Sequence, residues 1–329
     1  MKHPAFIQFY PTLRCNQKCG FCFNRSISDP VSYGDMNKRE AFLLADMALK
    51  YGISEVDILG GEPLLVPWIK DFISYATGSK LAVNISTNGS LLDSVIDLAE
   101  TGADSLNIGF SILGFSETHN ALTGSDNFSK AIAGIKRLVS DGRGPIVKSV
   151  LMQENKGEIF DLVDYLAELG LKRYFLLHED MIGRRDYQAL SFPEYYAFYS
   201  ELKKKMDGKP DIGFVAASGF YKHGAYSKFR CDAGITKIAV MPDGSAFPCN
   251  LFAGLGEFLL GNIFRDGIEK IWHNRLLEYF RGHKKENMCA SKGCAHYTNC
   301  TGGCPAHGYY FYGTMDAVDP RCKAMSKVS

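Results

Sequence analysis

Three things are scarce in this chain of 329 residues. Net charge is nearly absent, since 37 Lys and Arg oppose 36 Asp and Glu for a formal +1. No bulk field therefore draws the protein to nucleic acid, an anionic membrane or a strongly acidic partner. Long apolar runs are missing, and Met1 to Tyr10 offers one Lys and a short apolar stretch with no small-residue cleavage site. Those absences exclude a spanning helix and a secretory signal and leave the expectation of a cytoplasmic protein. Cysteine is missing for more than two hundred residues after Cys22, and no internal repeat or low-complexity segment occurs. The basic runs Lys203-Lys204-Lys205 and Lys284-Lys285 are short, sit in helix-like sequence and read as solvated helix faces.

A 46% hydrophobic fraction with 22% charged residues can bury a large core, enough for one large domain and a smaller one. The ten cysteines are unevenly placed: three lie within the first 22 residues and seven between Cys231 and Cys322. A reducing compartment argues against a disulfide scaffold, so this crowding points to bound metal.

Up to about residue 180, short β-branched or apolar runs alternate with longer amphipathic segments, the pattern of βα units around a parallel sheet. Six strands are expected near Phe6 to Tyr10, Val56 to Leu59, Leu81 to Ser86, Ser105 to Ser111, Ile146 to Leu151 and Tyr174 to Leu177. Helices are expected at Lys38 to Tyr51, Leu91 to Thr101, Asn127 to Ser140 and Glu158 to Leu169. This is an α/β protein with a partial (β/α)6 TIM-like barrel over residues 1–190, whose chemistry belongs on the loops after the strands. Residues 191–230 read as a bridge, an aromatic-rich helix followed by irregular sequence. Residues 231–329 read as a small cysteine-rich α+β unit. It holds a hairpin, Lys237 to Met241 and Ser245 to Cys249 around Pro242-Asp243-Gly244, and a helix from about Gly267 to Phe280. Its tail needs metal in place of a hydrophobic core.

Cys15, Cys19 and Cys22 form a CxxxCxxC loop directly after the first strand. Three thiolates leave one iron of a four-iron cubane open to a small molecule. A zinc site is the alternative, although zinc in a structural role takes four protein ligands and no fourth Cys or His accompanies the triplet.

The loop resembles the radical S-adenosylmethionine (radical SAM) superfamily, whose hallmark is CxxxCxΦC with an aromatic where Phe21 stands. Gly60-Gly61-Glu62-Pro63 after the second strand is similar to the family's GGEP motif, which implies contact with the methionine amino group. In that reading the freed amides approach the ligand and Glu62 accepts from an ammonium. The resemblance further implies ribose and methionine-carboxylate contacts at Ser86, Asn88 and Ser111. The stretch from Ser111 to Gly124 departs from the family's SLDG and HDxxRG, because Ile112-Leu113 interrupts the first and Thr123 replaces the arginine. Met181-Ile182-Gly183-Arg184 resembles a loop lining the cavity, which makes Arg184 a candidate catalytic residue.

The remaining cysteines look like a SPASM domain, which implies two auxiliary 4Fe-4S clusters. Cys231, Cys249 and Cys304 would hold the first, and Cys289, Cys294, Cys300 and Cys322 the second, with a longer gap than usual between Cys289 and Cys294. A zinc-ribbon-like pair is the alternative. The implied activity is reductive cleavage of S-adenosylmethionine at a 4Fe-4S cluster to a 5′-deoxyadenosyl radical that abstracts hydrogen from substrate, with electrons from a reductase such as flavodoxin or ferredoxin. The expected substrate is a ribosomally made peptide that is oxidised or crosslinked by a thioether or carbon–carbon bond. Many such maturases bind a leader through a separate N-terminal module, whereas here the first strand opens almost at the first residue, so a leader must be held otherwise. Asn250 stands where sulfatase-modifying relatives place an aspartate base, and an amide is no base at neutral pH. The alternatives are a small metabolite such as an aminocyclitol and a noncatalytic zinc or iron–sulfur scaffold. The run Tyr309-Tyr310-Phe311-Tyr312 either lines the substrate interface or packs the small domain.

Overall fold

A computed structural model describes residues 3–26, 33–184, 189–221, 231–282 and 300–322. The six expected parallel strands form, as β1 (Phe6–Phe9), β2 (Glu55–Ile58), β3 (Ala82–Thr87), β4 (Leu106–Ser111), β5 (Ile146–Leu151) and β6 (Arg173–His178). They pair in chain order, each with the next. Between them run α1 (Lys38–Lys50), α2 (Ile69–Gly78), α3 (Leu92–Ala99), α4 (Ser116–Thr123), α5 (Phe128–Ser140) and α6 (Ile159–Glu168).

The sheet extends beyond these six strands at both sides. After α7 (Phe192–Met206), whose N-terminus carries a capping box of Ser191 and Glu194, the segment read as irregular forms β7 (Asp211–Val215), parallel to β6. The sequence pattern does not mark this strand because it is a short edge with an exposed start and end, interrupted by Gly213. A side chain at 213 would strike the Phe175 ring, with Cβ 2.4 Å from Cε1. On the other side, β8 (Lys237–Val240) of the expected hairpin pairs in parallel with β1, and β9 (Ser245–Phe247) and β10 (Gly261–Asn262) follow antiparallel. One ten-stranded sheet results, in the order β10-β9-β8-β1-β2-β3-β4-β5-β6-β7.

The helix expected over Gly267 to Phe280 is two helices, α8 (Ile263–Trp272) and α9 (Leu277–Gly282), with Gly267 out of helical conformation. Asn274 separates them, because its side chain donates to Leu260 O and accepts from Leu276 N, which a continuous helix would not allow. The aromatic run falls in α10 (Pro305–Tyr312).

Alternation along the strands divides the sheet into two chemistries. One face presents Ile7, Phe9, Val56, Ile58, Val83, Ile85, Ile108, Phe110, Val147, Tyr174 and Leu176, all buried in the hydrophobic core; each contributes roughly 1.5–3 kcal/mol if aliphatic or Phe. The opposite, concave face is polar. There Asn84 Nδ2 donates to Glu55 Oε1 at 2.9 Å and Asp57 Oδ1 at 2.7 Å, Asn107 Nδ2 to Asn84 Oδ1 at 2.9 Å, and Arg173 Nη2 to Asn107 Oδ1 at 2.9 Å. A sheet polar on its inner face encloses a site rather than a second core.

Candidate active site

The cysteine loop leaves β1 at the C-terminal mouth of the sheet and is gripped by backbone before any side chain is considered. The turn after β2 crosses directly over it: Gly61 N donates to Thr12 O at 3.1 Å and Glu62 N to Arg14 O at 2.8 Å. That crossing is why two glycines are needed. A Cβ on Gly60 would lie 2.5 Å from Thr12 O, and one on Gly61 only 2.0 Å from Arg14 O. The glycines thus give close approach to the cysteine loop itself, and two of the amides expected to face a ligand are bonded within the protein.

Glu62 differs from expectation in the same way. Its carboxylate is 1% exposed and turned inward, accepting from Leu64 N at 3.1 Å, Thr87 Oγ1 at 2.8 Å and Asn88 N at 2.8 Å. Burial raises its pKa to about 7 against the pull of those three donors. It is therefore a clamp between the ends of β2 and β3, with Pro63 buried behind it at the start of a short 3-10 turn. Asn88 is likewise occupied: Nδ2 donates to Asn16 Oδ1 at 2.8 Å and lies 4.0 Å from Cys15 Sγ, and Oδ1 accepts from Ser90 N.

The far wall of the loop comes from the segment between α4 and α5. Lys18 N donates to Thr123 O at 2.9 Å, and Gln17 Nε2 donates to Ser125 Oγ and to Asn127 Oδ1 at 2.8 Å. Thr123, which replaces an arginine, is buried with its hydroxyl donating to His119 O. His119 is fully buried; Leu113 N occupies its Nδ1, so the proton sits on Nε2 and is donated to Asn127 Oδ1 at 3.1 Å. Burial lowers the His119 pKa, with Asn127 opposing, which keeps the ring neutral. Asn127 then donates to Asn88 O at 2.7 Å, tying both walls together. Spacing alone gave no hint of this hub, because its members lie on three separate turns. Asn127→Ala is expected to destabilise the protein by about 1–3 kcal/mol, since it strands the buried His119 Nε2 and Asn88 O and removes an acceptor from Gln17 and Ser125, and to speed chelator removal of loop-bound iron. Thermal unfolding and iron-release rates check it; unchanged values in both would sink the assignment.

Within this frame Cys15 is exposed, Cys19 and Cys22 are half-buried and Phe21 is half-buried between them. Ser86 and Ser111 lie on the concave face near the mouth; Ser86 Oγ accepts from Lys148 Nζ, and Ser111 is the register partner of Lys148. Arg184 is paired with Glu179 and donates to Asp180 O.

A second group of thiols includes Cys249, which lies near Tyr10, as does Cys22 of the loop. Tyr10 ends β1, is 1% exposed, and donates its N–H to Val240 O. Burial raises its pKa, and Cys249, Cys22 and Asp180 add to the rise. Its hydroxyl faces Asn250 without reaching hydrogen-bond geometry. Cys249 and Cys304 are each 6% exposed. Burial, opposed by Lys237 and reinforced by Cys231, pushes the Cys249 thiol up to about 12. Neighbouring buried thiols of that kind ionise only if a cationic centre takes up their charge, so the donor set of Cys231, Cys249 and Cys304 fits an iron–sulfur cluster. Among the described residues no three His, Cys, Asp or Glu side chains converge as a single metal ion requires. Cys300 and Cys322 are buried and half-buried in the same unit, whereas Cys289 and Cys294 lie outside the described residues.

Comparison with known proteins places this geometry. A model of the radical SAM superfamily matches residues 9–166, and one of the SPASM iron–sulfur cluster-binding domain matches residues 231–300, together more than half of the chain. The mycofactocin maturase MftC of Mycobacterium ulcerans is 26% identical across 97% of this chain and 88% of its own length. The subtilosin biosynthesis protein AlbA of Bacillus subtilis is 27% identical across 93% and 68%. The crystal structure of Streptococcus suis SuiB bound to the precursor peptide SuiA shares the fold, with a TM-score of 0.79 at 20% identity over 98% of this chain and 76% of that one. No helix among the described residues is long and apolar enough to cross a membrane. The first family match falls on the parallel sheet with its cysteine loop and the second on the hairpin with its buried thiols; the chain belongs to the radical SAM superfamily of iron–sulfur enzymes, carries a SPASM extension, and has S-adenosylmethionine and 4Fe-4S clusters as its cofactors.

Proposed function

We propose that this enzyme modifies a ribosomally made peptide, by oxidation or by a thioether or carbon–carbon crosslink, at the concave mouth of its sheet. The observation that carries the reading is the hydrogen-bonded three-cysteine loop at that mouth, with Tyr10 close to both Cys22 of that loop and the buried Cys249 of a second set of thiols. Similarity to a mycofactocin maturase over 97% of this chain and to a bacteriocin biosynthesis protein over 93% supports the substrate class.

Cys15, Cys19 and Cys22 would hold the cluster that binds S-adenosylmethionine. Cys231, Cys249 and Cys304 would hold one auxiliary cluster, and Cys289, Cys294, Cys300 and Cys322 the other. When bound, the first cluster and S-adenosylmethionine supply a 5′-deoxyadenosyl radical that takes hydrogen from the substrate. The protein's own part is positioning. Gly60 and Gly61 admit the crossing backbone, Glu62 locks the ends of β2 and β3, and Asn88 and Asn127 hold the cysteine loop from either side. Gln8 accepts from Asn250 N at 3.4 Å, which fixes the turn after Cys249 against β1. Asn250 supplies no base there, so a proton released from substrate leaves by another group. The electron donor would be a small reductase of the flavodoxin or ferredoxin kind, and the setting the cytoplasm.

Anaerobic reconstitution should load roughly twelve irons per chain and yield 5′-deoxyadenosine with dithionite, with the product rising when the partner peptide is supplied. Four irons, or stoichiometric zinc without cofactor cleavage, would overturn the assignment. Turnover with a small metabolite and none with peptide would overturn the substrate class.

A further inference from the structure

The inner face of the sheet changes character at β5. Across β2 to β4 it is lined by polar residues such as Asp57, Asn84, Ser86 and Asn107. On β5, β6 and β7 the level nearest the mouth holds Val150, Leu177 and Val215, which are register neighbours. All three are at least partly exposed, Val215 to 48%, and none packs against the hydrophobic core. One level deeper, Phe175 stands beside Gly213, and its ring lies over that position, where a Cβ would be 2.4 Å from Phe175 Cε1. The ring thus covers β7 where a side chain of its own would stand. The charged residues of this side of the face are deeper: Lys148 at the level of Phe175, then Arg173 and Asp211. Apolar surface left open inside a concave mouth marks a ligand groove.

β7 is also an end of the sheet. Asp211 N donates to Lys172 O at 2.9 Å, so alternation turns the main chain of Asp211, Gly213 and Val215 to β6 and that of Ile212 and Phe214 outward. The Tyr199 hydroxyl donates to Ile212 O at 3.4 Å. Among the described residues nothing takes the N–H or the C=O of Phe214. An open edge recruits an extended chain unless charge or proline guards it, and the one charge on β7, Asp211, stands at its far end. A residue paired antiparallel to Phe214 would take both main-chain bonds. Its two neighbours would then fall on the inner face, opposite Val215 and Gly213. One would rest on Val215 and Leu177, the other on the Phe175 ring. Main-chain and apolar partners are wanted at the same place, which a peptide supplies and a small metabolite does not.

We propose that β7 seats the peptide substrate: an extended stretch adds antiparallel to it at Phe214 and lays uncharged, apolar side chains on Val215, Leu177 and the Phe175 ring. The inference rests on the peptide reading above and adds a side-chain class to it. A charged side chain on that row would lose water to apolar neighbours without gaining a partner at its own level. The glycine, which weakens a strand interior, has its use here as the place where another backbone and the Phe175 ring come close.

The test uses reconstituted holoenzyme with labelled valine and leucine methyls and labelled backbone nitrogen. The probes are acetyl-Leu-Ala-Leu-amide, its counterparts with Lys or Glu in place of both Leu, and a form methylated on the central nitrogen. The leucine peptide should shift the methyl signals of Val150, Leu177 and Val215. At roughly ten times its Kd it should also slow hydrogen exchange at the Phe214 amide about tenfold. The charged peptides should do neither, and the methylated form should bind several-fold more weakly for want of one hydrogen bond. Val215→Asp, at an exposed position, should keep its Tm and iron content, weaken the leucine peptide at least about tenfold and favour the lysine peptide instead. No response to any peptide, an equal response to all, methyl shifts without protection of Phe214, or a Val215→Asp protein that binds the leucine peptide as wild type does would each overturn the seat. Because binding is read here and turnover is not, the two readings fail separately. A seat that fails leaves the peptide substrate to the 5′-deoxyadenosine experiment, and a seat that holds while no peptide raises cofactor cleavage sinks the substrate class alone.

Discussion

Gly61→Ala is expected to lower 5′-deoxyadenosine formation by roughly a hundredfold or more, because a displacement of about 1 Å at a reacting centre costs that much. The new Cβ would lie 2.0 Å from Arg14 O, 2.4 Å from Arg14 C and 2.6 Å from Leu13 O. All three are backbone atoms, so no side chain can rotate away and the cysteine loop itself must move. Reconstituted iron should fall by about four per chain, the content of one cubane, while the auxiliary sites stay loaded and the far-ultraviolet spectrum is unchanged. Gly78→Ala, at the end of α2 with nothing within 4 Å of the added carbon, serves as the control. A Gly61→Ala enzyme with full iron and cleavage within about twofold of wild type would show that the crossing does not seat the loop.

The second large effect is expected at Arg321, which joins the barrel to the cysteine-rich unit. It is 2% exposed. Its Nη1 donates to Glu179 O at 2.7 Å and Asp180 Oδ1 at 3.2 Å, and its Nη2 and Nε donate to Asp319 at 2.7 and 3.0 Å. Asp319, 1% exposed, also accepts from Cys304 N at 2.9 Å. Burial opposes its ionisation, yet Arg321, with His307 and the Cys304 amide, holds its carboxyl well below the usual range. Arg321→Met would leave that carboxylate buried and unpaired, at a cost of about 3–5 kcal/mol. Cys304 would lose its fixed amide, and Cys322, whose N–H donates to Asp319 O, would loosen with it. The expected result is a lower Tm together with loss of auxiliary iron and retention of the first cluster. Adding Asp319→Asn should recover part of the stability, because removing both partners costs less than removing one. A single variant that melts with wild type and keeps all its iron would contradict this account.

Much of the catalytic frame is legible in the chain itself. The CxxxCxxC spacing, the glycine pair after the second strand and the six alternating βα units are short-range patterns, and the sheet forms in that order. Other features are not legible, and for identifiable reasons. β7 is a short edge strand whose pattern is broken by Gly213. β8 is an ordinary hairpin strand whose parallel partner, β1, lies more than two hundred residues earlier. Glu62 reads as a ligand contact because Gly60-Gly61-Glu62-Pro63 resembles the family's motif, and the position of β3 turns its carboxylate inward. His119, Asn127 and Gln17 are unremarkable polar residues until α4 and α5 bring them to the same wall.

The sequence by itself determined which residues could carry iron, that a parallel α/β sheet would present them at its mouth, and the family the chain belongs to. The first two conclusions follow from local spacing and periodicity, which survive in one dimension, and the third from the resemblance of short motifs to those of known proteins. Tertiary structure alone decided where the freed backbone and polar side chains are used. The glycines admit the neighbouring loop, Glu62 and Asn88 hold it, and Lys148 passes over Gly109 into the open face. Each depends on which strand lies beside which, and that choice is made by hydrogen bonds and close contacts between residues tens to hundreds of positions apart.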